Sequence, residues 1–389
     1  MKSGFTRRRT AEVSDFPLRV ASLALPLLTV VLLALSGCDD GVSPSNNDDN
    51  GDRPSNLFEG IQCSVPNGDF VGGGVGSNAV PTLQNPTLVA PDHAGASYVT
   101  DEDRVIGVVV DGEPIAVPYW IMYKHEVVNL DPPTGASVAV TYCPLTATAL
   151  AFDRTPIGGA ELGVSGALFR NNLVLYDRND EFSLWLQMWG QARCGVRDGT
   201  VLPQIPTLDL TWGAWKRLHP DTRVVSSDTG FNRDYSVNPY RIYEQVGNEG
   251  TVQEQSNPDS RRLNKERVFG IPSDRPDGGA AYPFLELDAG AAPTFAVHDF
   301  VNATSVVVFW DREAQGAAGF RRNLGSETLT FSGHDGAFRD AETGSTWRLD
   351  GLAVSGPLEG ERLVPITEAY TAFWFAWTDF HPDTQLWTR

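Results

Sequence analysis

Positive charge, lysine and long apolar stretches are all scarce in this sequence of 389 residues. The 30 Lys and Arg residues are outnumbered by 49 Asp and Glu residues, so the formal net charge is −19. Such an acidic surface repels nucleic acid and anionic lipid headgroups, and we expect neither as a partner. The main apolar run, residues 21–35, would span about 22 Å as a helix, too short for the ~30 Å hydrocarbon core of a membrane.

Cysteine is also rare, and the first of the four cysteines, Cys38, lies in an informative place. A basic start and the short apolar run precede it, which is typical of a signal peptide, and the sequence LSGC resembles the lipobox of bacterial lipoproteins. We therefore expect a signal peptide at residues 1–37 and a lipid on Cys38 that anchors the chain to a membrane. The polar residues 38–56 are expected to form a disordered tether. The predicted location is the cell envelope, at the outer or cytoplasmic membrane, facing the periplasm or exterior.

Lipidation of Cys38 would leave an odd number of cysteines, namely Cys63, Cys143 and Cys194. Thiols outside the cytoplasm tend to oxidise, so the odd number carries information. One interpretation is a single disulfide, for which Cys63 and Cys194 are one pairing, together with one buried free cysteine. The other is that at least one thiolate is retained for chemistry or for a metal.

A Trp-rich segment occurs twice, as AWKRLHPDT at residues 214–222 and as AWTDFHPDT at residues 376–384. Further similar strings precede both segments in the same order, with offsets that drift as loop insertions would make them. Similar strings that recur in the same order indicate an internal duplication. We predict a first repeat with an N-terminal extension at residues 57–247, a linker at 248–260 and a second repeat at 261–389.

Most local signals within each predicted repeat favour strands. An Asp-Gly pair at residues 111–112 separates two apolar runs and predicts a β-hairpin. Pro118 is suited to the first turn of a helix, which we expect to run to about Val128. A second helix is predicted at residues 212–218, with His219 near the exposed carbonyls at its end. The predicted fold class is a β-rich α+β fold: two tandem copies of a mostly antiparallel strand unit with a few short helices.

The strongest candidate for chemistry is a thiol and imidazole pair in the first repeat. His125 and Asn129 are four residues apart and would share one face of the predicted helix. Cys143 ends a predicted strand, where reactive groups tend to be presented. A histidine can stabilise and deprotonate a cysteine nucleophile, so a catalytic site of Cys143, His125 and Asn129 is one hypothesis. Alternatively Cys143, His125 and Glu126 bind a metal ion, with zinc or copper favoured by these ligands.

The second predicted repeat bears on this candidate. The string HDFVN aligns His298 with His125, and Asp311 falls opposite Cys143, so only the first repeat has the thiol. A histidine present in both repeats is then expected to be structural. A small buried Cys143 beside a structural His125 is the corresponding non-functional interpretation, because cysteine is often buried.

Four strings carry a resemblance to a known family: HEVVN, SVAVTYCPLTATALAFDR, GVSGALFRNNLVLYDR and FWFAWTDFHPDT. They resemble the domain of unknown function 3179 family, whose members are bacterial and archaeal and often exported, and the likeness begins at about Cys63. Members usually read T-Y-C-P-L-C-G-[ST]-A, and this C-x-x-C implies redox or metal chemistry. Here Thr146 and Ala147 replace the second cysteine and the glycine, which excludes a two-thiol redox cycle at this motif. The positions that the resemblance carries over are His125, Glu126, Asn129 and Cys143.

The sequence therefore leaves three functional hypotheses. The leading one is a lipid-anchored envelope protein that binds a metal ion or small ligand near Cys143 and His125 without catalysis, since Thr146 and Asp311 remove groups from a site. The second is a cysteine-dependent enzyme that uses Cys143 as nucleophile and His125 as base. The third is a structural scaffold of the envelope.

Overall fold

Short runs of Val, Ile and aromatic residues, which favour extended backbone, give this chain many short strands. The computed structural model describes residues 61–389 except 75, 134, 179–182 and 274–277. The predicted signal peptide, lipidation site Cys38 and tether lie outside the described residues. No helix in the described part of the chain is both long and apolar enough to cross a membrane.

The first part of the described chain ends at Val225. Its elements are β1 (Phe70–Gly72), β2 (Leu83–Gln84), β3 (Leu88–Val89), β4 (Arg104–Val110), β5 (Glu113–Pro118), α1 (Tyr119–His125), β6 (Val127–Leu130), β7 (Val138–Cys143), β8 (Thr148–Asp153), β9 (Leu162–Phe169), β10 (Asn172–Asp177), β11 (Ser183–Leu186), β12 (Gln191–Gly195), β13 (Gln204–Ile205), β14 (Thr207–Thr211), α2 (Trp212–Leu218) and β15 (Arg223–Val225).

The second part begins at Arg267, after a connecting segment at residues 226–266 without regular strands or helices. Its elements are β16 (Arg267–Ile271), β17 (Ala280–Pro283), α3 (Phe284–Leu287), β18 (Thr294–Val301), β19 (Thr304–Asp311), β20 (Gly316–Arg321), β21 (Asn323–Leu324), β22 (Glu327–Thr328), β23 (Phe331–His334), β24 (Ala337–Asp340), β25 (Thr346–Trp347), β26 (Ala353–Ser355), β27 (Tyr370–Phe373), α4 (Trp374–Phe380) and β28 (Gln385–Leu386).

The strands form several small, mostly antiparallel sheets. The first part contains the sheets β1-β9-β10-β11-β12, β13-β8-β7-β6-β2 and β14-β4-β5-β15-β3, and the second contains β27-β16-β17-β28, β18-β19-β20, β21-β22 and β23-β24-β25-β26. A β-rich fold with few short helices and mostly antiparallel sheets is thus confirmed. The predicted hairpin is also confirmed, because β4 pairs antiparallel with β5 around residues 111–112.

One sheet in each part has the same construction. β14, β4 and β5 pair antiparallel and β15 joins in parallel, and β27, β16, β17 and β28 repeat this pattern. A helix follows the outer strand in both cases, and its second tryptophan donates a hydrogen bond to a threonine seven residues later: Trp215 to Thr222 at 2.8 Å and Trp377 to Thr384 at 2.9 Å. The tandem duplication itself, with its linker at residues 248–260, stays a prediction.

The core is shared between the two parts. All described residues belong to one compact unit, residues 49–389. One apolar cluster joins Leu150 and Trp185 of the first part to Ala372 and Trp374 of the second. Burial of such large side chains contributes roughly 2–3 kcal/mol each, so the parts stabilise one another.

The predicted helix from Pro118 to Val128 is wrong in its second half. Pro118 does precede the helix, in extended conformation with φ −66° and ψ 145°, but α1 ends at His125. Glu126 adopts a left-handed conformation with φ 58°, which turns the chain into β6. The apolar residues Val127 and Val128 are therefore buried as strand residues rather than on a helix face.

Candidate functional site

Cys143 is the last residue of β7 and its side chain is buried. Its Sγ lies 4.0 Å from the backbone oxygen of Asn171. Burial, followed by the nearby Glu126 carboxyl, raises the pKa of the thiol to about 11. Activated cysteines have a pKa below the ordinary value, so this thiol has the opposite character.

His125 is buried at the end of α1, and both of its ring nitrogens already have partners. Nδ1 lies 2.7 Å from the backbone oxygen of Pro81, and Nε2 lies 2.7 Å from the hydroxyl of Tyr235. Burial lowers the pKa of His125 to about 4, so the ring is neutral over most of the pH range. These contacts hold the imidazole within the fold instead of directing it to Cys143.

Asn129 does not share a helix face with His125, because it lies in β6 after the turn at Glu126. Its amide nitrogen donates to the backbone oxygen of Leu162 at 3.0 Å, and its amide oxygen accepts from the Leu162 N–H at 3.1 Å. The side-chain amide of Asn129 thus makes the two hydrogen bonds that a neighbouring peptide group would make. These hydrogen bonds connect β6 to the start of β9. The structure thus places Asn129 in a structural position.

The proposed alignment of His298 with His125 is also wrong. His298 lies in the middle of β18, where it pairs with Val307, and its Nε2 accepts a hydrogen bond from the backbone of Phe331 at 2.9 Å. His125 instead ends a helix. The two HxxxN strings therefore have different structural positions, although Asp311 does end β19 as Cys143 ends β7.

The three predicted metal ligands are not assembled into a metal site. Within the described residues, no group of three or more His, Cys, Asp and Glu side chains is placed to hold a metal ion. Burial raises the pKa of Glu126 to about 8, which keeps its carboxyl mostly protonated at neutral pH. A protonated carboxyl, a protonated thiol and an imidazole with two partners are poor metal ligands, because metals bind the deprotonated forms.

A second group of polar side chains lies on the elements around α1, and we call it the tyrosine–arginine site. Helix α1 contributes two tyrosines, the strands β4, β7, β14 and β16 contribute one residue each, and the connecting segment contributes a glutamate. Its members are Arg104, Tyr119, Tyr123, Tyr142, Asp209, Glu244 and Arg267.

The three tyrosines of this site pack against one another. The ring centroids of Tyr119 and Tyr142 are 4.3 Å apart, and Tyr123 lies 6.0 Å from both. The hydroxyl of Tyr123 donates to Glu244 at 3.4 Å. Aromatic contacts of this kind add about 1 kcal/mol per pair beyond burial, so the rings form a rigid wall.

The two arginines of the site contact these tyrosine rings, one arginine from each part of the chain. Arg104 is the first residue of β4 and Arg267 the first residue of β16, and each guanidinium carbon lies 5.9 Å from the ring centroid of Tyr119. Arg104 donates to Asp209 through Nε at 2.9 Å. Arg267 Nη1 lies 3.6 Å from the other carboxylate oxygen of Asp209, too far for a hydrogen bond.

Several buried polar atoms of the site have no hydrogen-bond partner among the described residues. They are the hydroxyls of Tyr119 and Tyr142, Nη1 of Arg267, Oδ2 of Asp209 and Oε1 of Glu244. Tyr119 and Arg267 nevertheless both interact electrostatically with the Asp209 carboxylate. An unpaired buried polar atom costs about 1–3 kcal/mol, and native proteins contain few of them. In the described part of the chain, five such atoms are concentrated in the tyrosine–arginine site.

The connecting segment covers this region. Tyr240 lies 5.9 Å from Tyr123, and the hydroxyl of Tyr243 donates to the backbone oxygen of Leu145 at 2.9 Å. Nζ of Lys265 lies 4.0 Å from the ring centroid of Tyr243, and burial lowers the pKa of this lysine to about 7. The segment thus closes the side of the site next to the turn after Cys143.

Sequence reasoning identified the neighbourhood of the site but missed its members. The tyrosines next to the singled-out residues were a visible signal, since Tyr119 and Tyr123 precede His125 and Tyr142 precedes Cys143. Asp209 and Arg267 are distant in sequence, and no local pattern indicates that they meet.

No curated protein and no solved structure matches the chain. A family model described as "Protein of unknown function (DUF3179)" matches residues 77–384, which include every member of the tyrosine–arginine site. This match spans most of the sequence, and the chain therefore belongs to the DUF3179 family.

Proposed function

We propose that this protein is an envelope protein, lipid-anchored through Cys38, that binds a small polar ligand in the tyrosine–arginine site without transforming it. The observation that carries the proposal is the set of buried polar atoms without partners on Tyr119, Tyr142, Asp209, Glu244 and Arg267. Ligand sites are typically rigid, partly aromatic and supplied with a few convergent polar groups. The side chains of Arg104 and Arg267 are 18% and 19% exposed, so the site lies near the protein surface.

The unpaired atoms favour a neutral ligand with several hydroxyl groups. Tyr119, Tyr142 and Arg267 offer donors, whereas Asp209 and Glu244 offer acceptors. A hydroxyl both donates and accepts, so a polyol such as a sugar satisfies both kinds of group. Inorganic phosphate is an anion with only one or two hydroxyl donors at neutral pH, and the carboxylates of Asp209 and Glu244 would repel it.

The geometry favours neither the cysteine-dependent enzyme nor the metal ion of the leading hypothesis. The predicted catalytic pair needs His125 within hydrogen-bond reach of Cys143, but its nitrogens contact Pro81 and Tyr235. A zinc or copper site needs deprotonated ligands that converge, and the described residues provide no such group. Binding of a small ligand near Cys143, which is the alternative to a metal ion in the leading hypothesis, is supported by the neighbouring Tyr142.

The ligand class is tested by calorimetric titration of the purified chain with glucose, galactose and inorganic phosphate. We expect a hexose to bind, and Tyr142→Phe to weaken its binding about fivefold, because one hydrogen bond is worth roughly 1 kcal/mol. Tyr282→Phe is the matched control, since its hydroxyl contacts Asp299 at 2.8 Å in the second part. Binding of phosphate alone, or of neither hexose, would contradict the proposal.

The anchoring is tested separately with a labelled fatty acid in the producing bacterium. We expect label in the full chain and its loss in Cys38→Ser, with the protein moving from the membrane to the soluble fraction. A chain that is labelled equally in both forms would refute lipidation at Cys38.

A further inference from the structure

A cleft with a volume of about 560 Å³ lies between the two parts of the described chain, and none of its lining residues belongs to the tyrosine–arginine site. Residues of β4, β5, β14 and α2 line one side, and residues of β16, β20 and the chain before β27 line the other. Its walls combine polar groups with the apolar side chains of Val109, Leu208, Trp215, Phe269 and Ile366. Clefts of this volume at the junction of two structural parts are typical ligand sites.

His219 provides an unused polar group in this cleft. It follows α2, is partly buried, and its ring centroid lies 4.2 Å from that of Trp215. Among the described residues, none makes a hydrogen bond with its imidazole nitrogens, although its neighbours in the cleft include Asp221, Asp350 and Arg362. Burial lowers the pKa of His219, so the ring is neutral near pH 7 and has one acceptor and one donor to offer.

The second part of the chain contains the same arrangement with the histidine satisfied. His381 follows α4 as His219 follows α2, and its ring lies 4.1 Å from Trp377. Its Nε2 lies 2.8 Å from the hydroxyl of Tyr370. In the second part, the phenol side chain of Tyr370 is therefore the hydrogen-bond partner of His381.

The residue that takes the place of Tyr370 in the first part is Leu208. Tyr370 is opposite Gly270 in the ladder between β27 and β16, and Leu208 is opposite Gly107 in the ladder between β14 and β4. Leucine supplies no hydroxyl and is shorter than tyrosine. The missing phenol ring and hydroxyl leave His219 without its partner and leave space in the cleft.

We propose that the cleft binds a neutral aromatic hydroxyl compound, a phenol, whose hydroxyl donates to His219 and whose ring packs beside Leu208 and Trp215. The ligand takes the role that Tyr370 plays for His381. We expect a neutral ligand because of the charged groups at the cleft. Arg362 is already paired with Asp350 at 3.5 Å, and Asp350 is also paired with Arg348. The carboxylate of Asp221, which also lines the cleft, would repel an anion. The proposal is independent of the tyrosine–arginine site.

Calorimetric titration of the purified full chain with p-cresol, and with toluene as the probe that lacks the hydroxyl, tests the proposal. We expect p-cresol to bind with one site per chain and toluene at least tenfold more weakly. Leu208→Tyr restores the arrangement of the second part, and we expect it to abolish p-cresol binding. Leu263→Tyr, at an exposed leucine outside the cleft, is the matched control and should bind like the wild type.

A second variant separates the polar anchor from the shape of the cleft. His219→Phe keeps a ring against Trp215 and should lower p-cresol affinity to that of toluene, while Tyr282→Phe, outside the cleft, leaves the affinity unchanged. Thermal unfolding of each variant establishes that it is folded. Equal binding of p-cresol and toluene to the wild type, unchanged p-cresol binding in both Leu208→Tyr and His219→Phe, or no p-cresol binding at all would overturn the proposal.

Discussion

The indole of Trp215 lies directly against the Cα of Gly107, so that a Cβ built on the glycine would stand 2.2 Å from a ring carbon. Gly270 and Trp377 have the same relationship, also at 2.2 Å. In both parts of the chain, therefore, a missing side chain on a central strand makes room for the second tryptophan of the following helix.

Gly107→Ala and Gly270→Ala should each lower the free energy of unfolding by about 2–3 kcal/mol, because the added methyl group displaces a buried indole. Urea unfolding monitored by tryptophan fluorescence measures this. Gly72→Ala is the control, since nothing lies within 4 Å of a Cβ there and its φ is not positive. Two variants as stable as Gly72→Ala would show that the helices shift without cost.

The sequence predicted those features that depend on neighbours along the chain. The hairpin at residues 111–112 and the helix Trp212–Leu218 rest on a turn signal and on a local apolar pattern, and both are present. The helix after Pro118 was extended too far because Glu126 takes a left-handed conformation, which glycine or asparagine would have signalled and glutamate does not.

The site could not be predicted in the same way. Tyr119, Asp209 and Arg267 come from α1, β14 and β16, and only the packing of both parts of the chain brings them together. The motif around Cys143 indicates a reactive thiol. The burial of Cys143 and the contact of His125 with Tyr235, however, make this thiol unreactive. Both are properties of the folded chain.

The disulfide between Cys63 and Cys194 closes a loop over a sequence separation of 131 residues. A loop of that length restricts the unfolded chain strongly, so its removal should cost about 4 kcal/mol. We expect the double variant Cys63→Ala/Cys194→Ala to unfold at lower urea concentration, and reductant to destabilise only the wild type. Equal stability of the wild type with and without reductant would contradict a closed disulfide.

Glu126 should make the free energy of unfolding depend on pH between about 4.5 and 8. Burial raises its pKa to about 8, whereas the unfolded chain has the ordinary value of 4.5, so the folded state holds the proton more tightly between these values. The free energy of unfolding therefore falls as the pH rises from 4.5 to 8. Since Glu126 is partly exposed, we expect a loss of about 1–2 kcal/mol.

Glu126→Gln removes this titration and keeps the shape of the side chain. The variant should match the wild type at pH 4.5 and exceed its thermal midpoint at pH 9. Asp234→Asn, at a carboxyl whose pKa is lowered by Ser236, is the control and should show no gain at pH 9. A wild-type curve that stays flat between pH 4.5 and 9 would place the Glu126 carboxyl in contact with water.

Cys143 should behave as a buried thiol and not as a nucleophile. Its raised pKa of about 11 leaves little thiolate at pH 7.5, and its side chain is 2% exposed, so iodoacetamide should label the native chain far more slowly than the same chain in urea. Because His125 contacts Tyr235 and Pro81, His125→Ala should not reduce the labelling rate of the native chain. Mass spectrometry after timed quenching gives both rates, with Cys143→Ser as the unlabelled control. Rapid native labelling that slows in His125→Ala would instead support the cysteine-dependent enzyme, since only a histidine that stabilises the thiolate can produce that pair of results.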